Sequence, residues 1–374
     1  MSPDLDFILV GCHAYAIHVI RLEVWHIKQQ RASQQRLTVP VTGPFMLTFI
    51  DLFCGGGFGA RGAVRGGGRP ILAVDAWELA THTYQANFPK SDIITDPIEN
   101  IVPSHLSSRY APDVLLTSPE CTAHSIARGA RPGSEKSRET AIAMIPWIEA
   151  FQPRWVVVEN VNRMKKWDRH EELLVILEDL GYKVSQLILD AADFGTPQSR
   201  KRLFLICDRE GSKTTKVDLL ALHRRQRKTA REILAPEGTY RSTPLYKPGR
   251  ATATIERAER AMNYLGRGVP FLIVYYGSDY AGGWQSLDAP LRTVTTIDRF
   301  GLVTWNGNTP MLRMLQPDEL VRAMGAAPSH KLPFGTRRDK VKLCGNGVCS
   351  PVMEIIFRRL EQLSKLGNPV AAAV

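Results

Sequence analysis

Cys121 lies five residues beyond the apolar run Val114-Leu115-Leu116, and Glu159 directly follows Trp155-Val156-Val157-Val158. In an open α/β sheet, ligands and chemistry collect at the carboxyl ends of parallel strands, so a thiol and a carboxylic acid carried past two such strands can face one substrate from two sides. A thiolate is a strong nucleophile, and a carboxylic acid held near its protonation point can donate to a ring nitrogen while the thiolate adds to the ring. Cytosine needs that pair, because its carbon 5 accepts a methyl group only after a nucleophile adds at carbon 6 and nitrogen 3 takes a proton. Taken singly, Cys121 also reads as a small buried hydrophobe and Glu159 as a strand-end cap. The pair therefore has to be weighed with the elements around it.

Those elements alternate. Residues 47–53, 71–75, 114–117, 155–159, 184–189 and 203–207 read as strands, rich in Val, Ile and Leu. Residues 59–65, 78–87, 141–151 and 171–181 read as helices between them. The pattern predicts an α/β fold, a Rossmann-like, mostly parallel sheet with helices on both faces. After Asp208 the alternation stops, leaving a basic stretch rich in Pro, Gly and Thr with strand-like pieces at 270–276 and 292–297, then helices at 318–324 and 352–366. The expected organisation is an N-terminal extension at 1–45, a catalytic domain at 46–208, a smaller basic recognition domain at 209–312, and a segment at 313–374 that returns to the catalytic domain. Met46 stands directly before the first strand, so 1–45 reads as a dispensable extension or a misassigned start, with a short amphipathic helix at 14–27.

The first strand runs into Asp51-Leu52-Phe53-Cys54-Gly55-Gly56-Gly57-Phe58-Gly59, a loop whose missing β-carbons let backbone N–H groups approach a cofactor at a helix N-terminus. Asp75 ends the next strand, where a carboxylate can grip ribose hydroxyls. Gly57-Phe58-Gly59-Ala60-Arg61-Gly62 also fits the nicotinamide fingerprint letter by letter. On the loop alone, a nicotinamide dinucleotide and S-adenosyl-L-methionine are equally open.

The 374 residues carry a formal charge of +11, and the segment 200–267 holds 17 Lys and Arg against 7 Asp and Glu. A basic block confined to one region suits a phosphate backbone, because each neutralised phosphate releases counterions. The six cysteines show neither disulfide nor zinc spacing, which predicts a reducing cytoplasm and no structural metal. No apolar run reaches the length of a membrane span, and Asp4 and Asp6 stand where a secretory signal would be basic.

With these residues assembled, the chain resembles the bacterial and phage DNA (cytosine-5) methyltransferases from about residue 47 to 363. Phe53, Gly55 and Gly57 fall on that family's cofactor loop, Asp75 on its ribose-binding acid, Asp96 on the residue that meets adenine, and Asn346, in Gly345-Asn346-Gly347-Val348, on the late loop that completes the cofactor pocket. Cys121 falls at the nucleophile and Glu159-Asn160-Val161 at the ring-protonating motif. Gln198-Ser199-Arg200-Lys201-Arg202 matches the family's Gln-x-Arg-x-Arg strand, and residues 315–325 its scaffold helix. Tyr275-Tyr276-Gly277 and the run from Pro290 to Thr296, with Arg292 and Thr293, resemble the recognition region.

The resemblance implies a monomeric cytoplasmic enzyme that methylates a flipped-out cytosine in a specific duplex DNA sequence, using S-adenosyl-L-methionine, in restriction-modification or phage and host DNA modification. It implies that Arg200 and Arg202 fix the flipped nucleotide, that Asn160 holds the Cys121 loop or the glutamate, that Ser125 and Gln198 touch the substrate, and that Trp77 stacks on the adenosyl group. Glu120 and Thr122 depart from the family's Pro and Gln beside the nucleophile. An ionised Glu120 would raise the Cys121 thiol pKa unless it pairs with Arg128 or Arg131. Three rival readings are an RNA cytosine-5 methyltransferase on the same motifs, a catalytically impaired DNA-binding protein, and a nicotinamide oxidoreductase. The last leaves Cys121, the basic block and the Gln198–Arg202 motif unexplained.

Overall fold

The computed structural model describes residues 46–119, 141–167, 169–223, 226–276 and 282–366. Cys121, Glu120, Thr122, Ser125 and the whole of 1–45 lie outside the described residues. The described residues belong to one compact unit.

Strands and helices alternate through the first half: β1 (Leu47–Leu52), α1 (Phe58–Arg65), β2 (Gly68–Asp75), α2 (Glu78–Asn87), β3 (Asp92–Thr95), β4 (Val114–Thr117), α3 (Ile145–Phe151), β5 (Trp155–Val161), α4 (His170–Asp179), β6 (Lys183–Asp190) and β7 (Lys201–Asp208). They build a seven-stranded sheet in the order β3-β2-β1-β4-β5-β7-β6. The first five strands of that order run parallel, while β7 pairs antiparallel with both β5 and β6. Alternation along the strands explains why both faces are covered. Phe49, Leu116 and Val157 point into one core with α1 and α2, and Ile50, Leu115 and Val156 into another with α3 and α4.

The reversed direction of β7 decides which of its residues reach the active edge of the sheet. Its first residues, not its last, arrive where β1, β2, β4 and β5 end, because Arg202 pairs with Val161.

Beyond β7 come α5 (Lys216–Ala221), β8 (Thr243–Pro244), α6 (Thr252–Leu265), β9 (Phe271–Val274), β10 (Trp284–Ser286), β11 (Phe300–Asn306), β12 (Thr309–Met314), α7 (Pro317–Ala323), α8 (Arg337–Asn346) and α9 (Ser350–Leu366). A second, antiparallel sheet runs β10-β9-β11-β12-β8, with α6 closing a small core of Ala258, Met262, Phe271, Ile273 and Val303. The Thr-rich piece expected as a strand at 292–297 is irregular backbone, next to the isolated bridge of Leu291 with Gln198. The chain then returns to the first sheet. Buried residues of α9 join the α1 core, and Ser350 Oγ donates to the Phe58 carbonyl at 2.7 Å.

Candidate active site

A cavity of about 1240 Å³ opens where β1, β2, β4 and β5 end and β7 begins, and its far wall comes from residues 293–297, Tyr275, Tyr276 and the last turn of α8. It has two chemically distinct ends.

At the first end, Phe53 leaves β1 with a φ of 56°, a left-handed conformation that a non-glycine residue adopts only when its surroundings hold it. That turn sends the glycine loop back across the sheet. The Gly55 N–H donates to Asp75 Oδ2 at 2.8 Å, and the Trp77 N–H donates to Asp75 Oδ1 at 2.8 Å, so the loop and the end of β2 are tied through one carboxylate. Trp77 stands on the wall with the Lys342 ammonium 4.3 Å from its ring centre. Asn346, one turn further along α8, also lines the cavity.

Beneath them, Asp51 lines the cavity and is only 6% exposed. Burial pushes its carboxyl up to about 8, opposed by the Tyr84 hydroxyl and reinforced by the charge of Asp75. The Asp75 carboxylate and the buried Asp51 carboxyl around a largely apolar pocket, with an aromatic ring at its rim, fit a cationic ligand that carries a ribose and a flat heterocycle. Those are the parts of S-adenosyl-L-methionine.

At the second end, Glu159 is 7% exposed, and its Oε1 makes no hydrogen bond among the described residues. Arg202 Nε lies 3.2 Å from that oxygen. The pairing follows from register. Residues directly opposite in an antiparallel pair share a face, so Arg202, opposite Val161, projects on the same face as Glu159 two residues earlier. Burial pushes the Glu159 carboxyl above its usual range, while Arg202 and then Arg200 pull it back. Asn160 faces the other way. Its Nδ2 donates to the Pro119 carbonyl at 3.3 Å, holding the last described residue before the segment that carries Cys121. Cys54 is the described cysteine on the cavity wall, and burial with the charges of Asp75 and Asp51 raises its thiol well above the ordinary value, which argues against a nucleophilic role.

The remaining expectations divide. Thr293 lines the cavity, its hydroxyl donating to the Ser199 carbonyl at 3.0 Å. Gly57 lies off the wall; with φ at 78° it caps α1, and a β-carbon there would sit 2.6 Å from the Phe88 ring. Asp96 also lies off the wall, its Oδ1 accepting from Asn100 Nδ2 at 2.7 Å, while its neighbours Pro97, Ile98 and Glu99 face the cavity. Arg292 is not on the wall, and its backbone N–H donates to Gln285 Oε1.

Gln198 departs furthest from a substrate contact. It is fully buried, its Nε2 donating to the Ala323 carbonyl and its Oε1 accepting from the Val294 N–H, which leaves no surface for DNA. Arg200 is likewise buried, with Nη1 donating to the Val294 carbonyl at 2.8 Å and Nη2 to the Gly345 carbonyl at 2.7 Å. Gly345 makes room for this junction, since a β-carbon would collide with the backbone of Thr295 and Thr296. Gln198 and Arg200 thus fasten the 293–297 wall and the end of α8 to β7.

Part of the basic block is taken up by neighbouring acids. Lys216 and Arg227 both pair with Asp193, Arg231 with Asp288 and Lys228 with Glu232. Local carboxylates hold these cations. Among the cavity residues that sequence reasoning misses are Asp51 as a buried ionisable group, Lys342 and Arg163. Lys342 has a signal, lying four positions before Asn346 and so on the same helical face.

Comparisons with known proteins agree with this geometry. The profile of the family described as C-5 cytosine-specific DNA methylase matches residues 47–362. The type II methyltransferase M.HgiDI of Herpetosiphon aurantiacus is 31% identical over 251 residues, covering 65% of this chain and 79% of the relative. The type II methyltransferase M.HpaII of Haemophilus parainfluenzae is 28% identical over 364 residues, 92% of this chain and 97% of the relative. Among solved structures, a prophage-encoded protein of E. coli described as a DNA modification methyltransferase superposes with a TM-score of 0.62 at 16% identity, covering 86% of this chain and 100% of that one; this likeness bears on the fold alone. No helix among the described residues is long and apolar enough to cross a membrane. A family match that runs from β1 to the last helix, over a cavity lined by a buried glutamate at one end and two acidic side chains at the other, has one consequence: the chain belongs to the C-5 cytosine-specific DNA methylase family and is a DNA cytosine-5 methyltransferase.

Proposed function

We propose that Cys121 and Glu159 act on opposite sides of one cytosine swung out of duplex DNA into the second end of the cavity. The Cys121 thiolate adds to carbon 6 while Glu159 gives its proton to nitrogen 3, which makes carbon 5 nucleophilic. S-adenosyl-L-methionine, held at the first end by Asp75, Phe53, Gly55, Trp77 and Asn346, supplies the methyl group as an electrophilic sulfonium substituent. Water in the cavity then takes the carbon 5 proton, the carbon 5 to carbon 6 double bond re-forms as the Cys121 sulfur leaves as thiolate, and nitrogen 3 returns its proton to Glu159.

The observation that carries this reading is the Glu159 carboxyl on the cavity wall, raised by burial and held by the Arg202 guanidinium 3.2 Å from its Oε1. A general acid needs its proton at working pH, and burial favours that form. Arg202 orients the carboxyl without a hydrogen bond to Oε1, and Asn160 anchors the chain that leads to Cys121. Arg200 supports the reading as a brace for the cavity wall, in place of the nucleotide contact expected for it. Ser125 beside the flipped nucleotide, Arg292 and Thr293 on the recognition side, and the boundaries 46–208, 209–312 and 313–374 belong to the same proposal.

Bisulfite sequencing of a host carrying the gene tests it. Methylated cytosines at one short motif are expected, and they should vanish with Glu159→Gln. An unmodified genome with the wild-type gene would contradict the reading.

A further inference from the structure

Directly after Glu159 and Asn160, β5 gives way to the 3-10 turn Asn162–Lys166. Side chains three apart lie nearly in line in such a turn. Met164 and Trp167, three apart, are both buried, and the Trp167 N–H donates to the Met164 carbonyl at 3.0 Å. That anchoring turns Arg163, Lys165 and Lys166 outward, and all three are exposed. Lys201, the first residue of β7, is exposed beside them, since β7 packs on the turn. Arg163 and Lys201 both line the cavity mouth. None of the four side chains has a carboxylate within ion-pair distance among the described residues. Four cations of the basic block, Lys216, Arg227, Lys228 and Arg231, by contrast have acidic partners.

Two cations on the cavity wall, Arg163 and Lys201, with Lys165 and Lys166 exposed on the same turn as Arg163 and none of them paired with a carboxylate among the described residues, make a positive surface suited to a polyanion. The rim is continuous with the pocket that holds Glu159, so the polyanion reaches it while its reactive part sits inside. This rests on the proposed reading that the substrate is duplex DNA.

We infer that Arg163, Lys165, Lys166 and Lys201 form a ledge on the catalytic side of the cleft that binds backbone phosphates of duplex DNA next to the flipped nucleotide. The ledge reads no sequence. It positions the duplex so that one nucleotide lies over the cavity, and its contribution is electrostatic.

The test is fluorescence anisotropy of the full chain with a labelled duplex containing the methylated motif, and with a scrambled duplex, across a salt series. Arg163→Gln/Lys165→Gln/Lys166→Gln is expected to weaken both duplexes alike. It should reduce the slope of log K against log salt by about 0.9 per phosphate contact removed, or roughly 2 to 3 in all. Affinity for S-adenosyl-L-homocysteine, measured by calorimetry, should stay unchanged and would show that the variant is folded. Arg69→Gln/Lys90→Gln is the control. Both residues line a cavity of about 470 Å³ where β2 and β3 begin, at the opposite edge of the sheet, and the slope should keep its wild-type value. A triple variant with the wild-type slope, or a control that loses as much, overturns the ledge while leaving the DNA reading intact. A wild-type chain that binds a structured RNA but no duplex overturns both.

Discussion

The two ends of the cavity hold buried carboxyls in opposite electrostatic company. Asp51 has a second carboxylate, Asp75, near it and lies well above the ordinary range, at about 8. Glu159 is buried as deeply, but two arginines work against the burial. At the first end the charge of Asp75 stands near an acid that burial keeps protonated below about pH 8, and a ligand that brings its own positive charge would favour the ionised form of both. At the second, burial raises the carboxyl while two arginines oppose it, and a raised carboxyl suits a group that gives and regains a proton. One cavity thus serves two partners because the charges around its two buried acids differ in sign.

Four substitutions probe this difference. Glu159→Gln removes the proton donor while keeping the shape, and turnover should fall by about 10²- to 10⁴-fold with cofactor affinity retained; a steady-state assay beside calorimetry separates the two. Asp75→Ala breaks the tie between the glycine loop and β2 and removes a charge from the cofactor end. Losing hydrogen bonds to a charged group costs about 1.5 to 3 kcal/mol, so S-adenosyl-L-methionine should bind about ten- to a hundredfold more weakly.

Arg202→Gln removes the nearer cation from Glu159 and should raise its pKa further. Activity needs the protonated acid, so the loss of kcat at high pH should move to higher pH, and a shift in the other direction would show that Arg202 acts on something else.

Asp51→Asn acts on stability and gives the cleanest sign. The folded chain favours protonated Asp51, a gain fully present below the carboxyl's ordinary 3.8 and lost as pH rises through about 8. The asparagine variant should match the wild type near pH 4 and have the higher Tm near pH 9.

Much of this architecture is legible in the sequence because the strands that carry it are short apolar runs with clear ends. Val114–Thr117 and Glu78–Asn87 have the bounds their patterns predict. Strand β3, Asp92–Thr95, is missing from the pattern because its four residues are half-buried or exposed at the sheet edge. Helix α6 is hidden by its Arg and Glu content, although Ala258, Ala261 and Met262 mark one buried face.

The site is legible in part. Residue type and position at strand ends point to Glu159 and Asp75, and the late glycine-flanked loop to Asn346. Whether an arginine or glutamine is exposed depends on partners far along the chain. Val294 and Gly345, which occupy the Arg200 guanidinium, lie 94 and 145 residues away, and no local pattern announces them. Net charge misleads for a related reason, since counting cations does not reveal which already face a carboxylate.

The most direct test of the central claim is covalent trapping on a duplex whose target cytosine carries fluorine at carbon 5, in the presence of S-adenosyl-L-methionine. Fluorine cannot leave as a proton does, so the enzyme should remain bonded to the base through Cys121, in a complex that survives denaturation and disappears with Cys121→Ser. A wild-type enzyme that methylates ordinary duplex yet forms no such complex, or one whose adduct maps to another residue, would contradict the account.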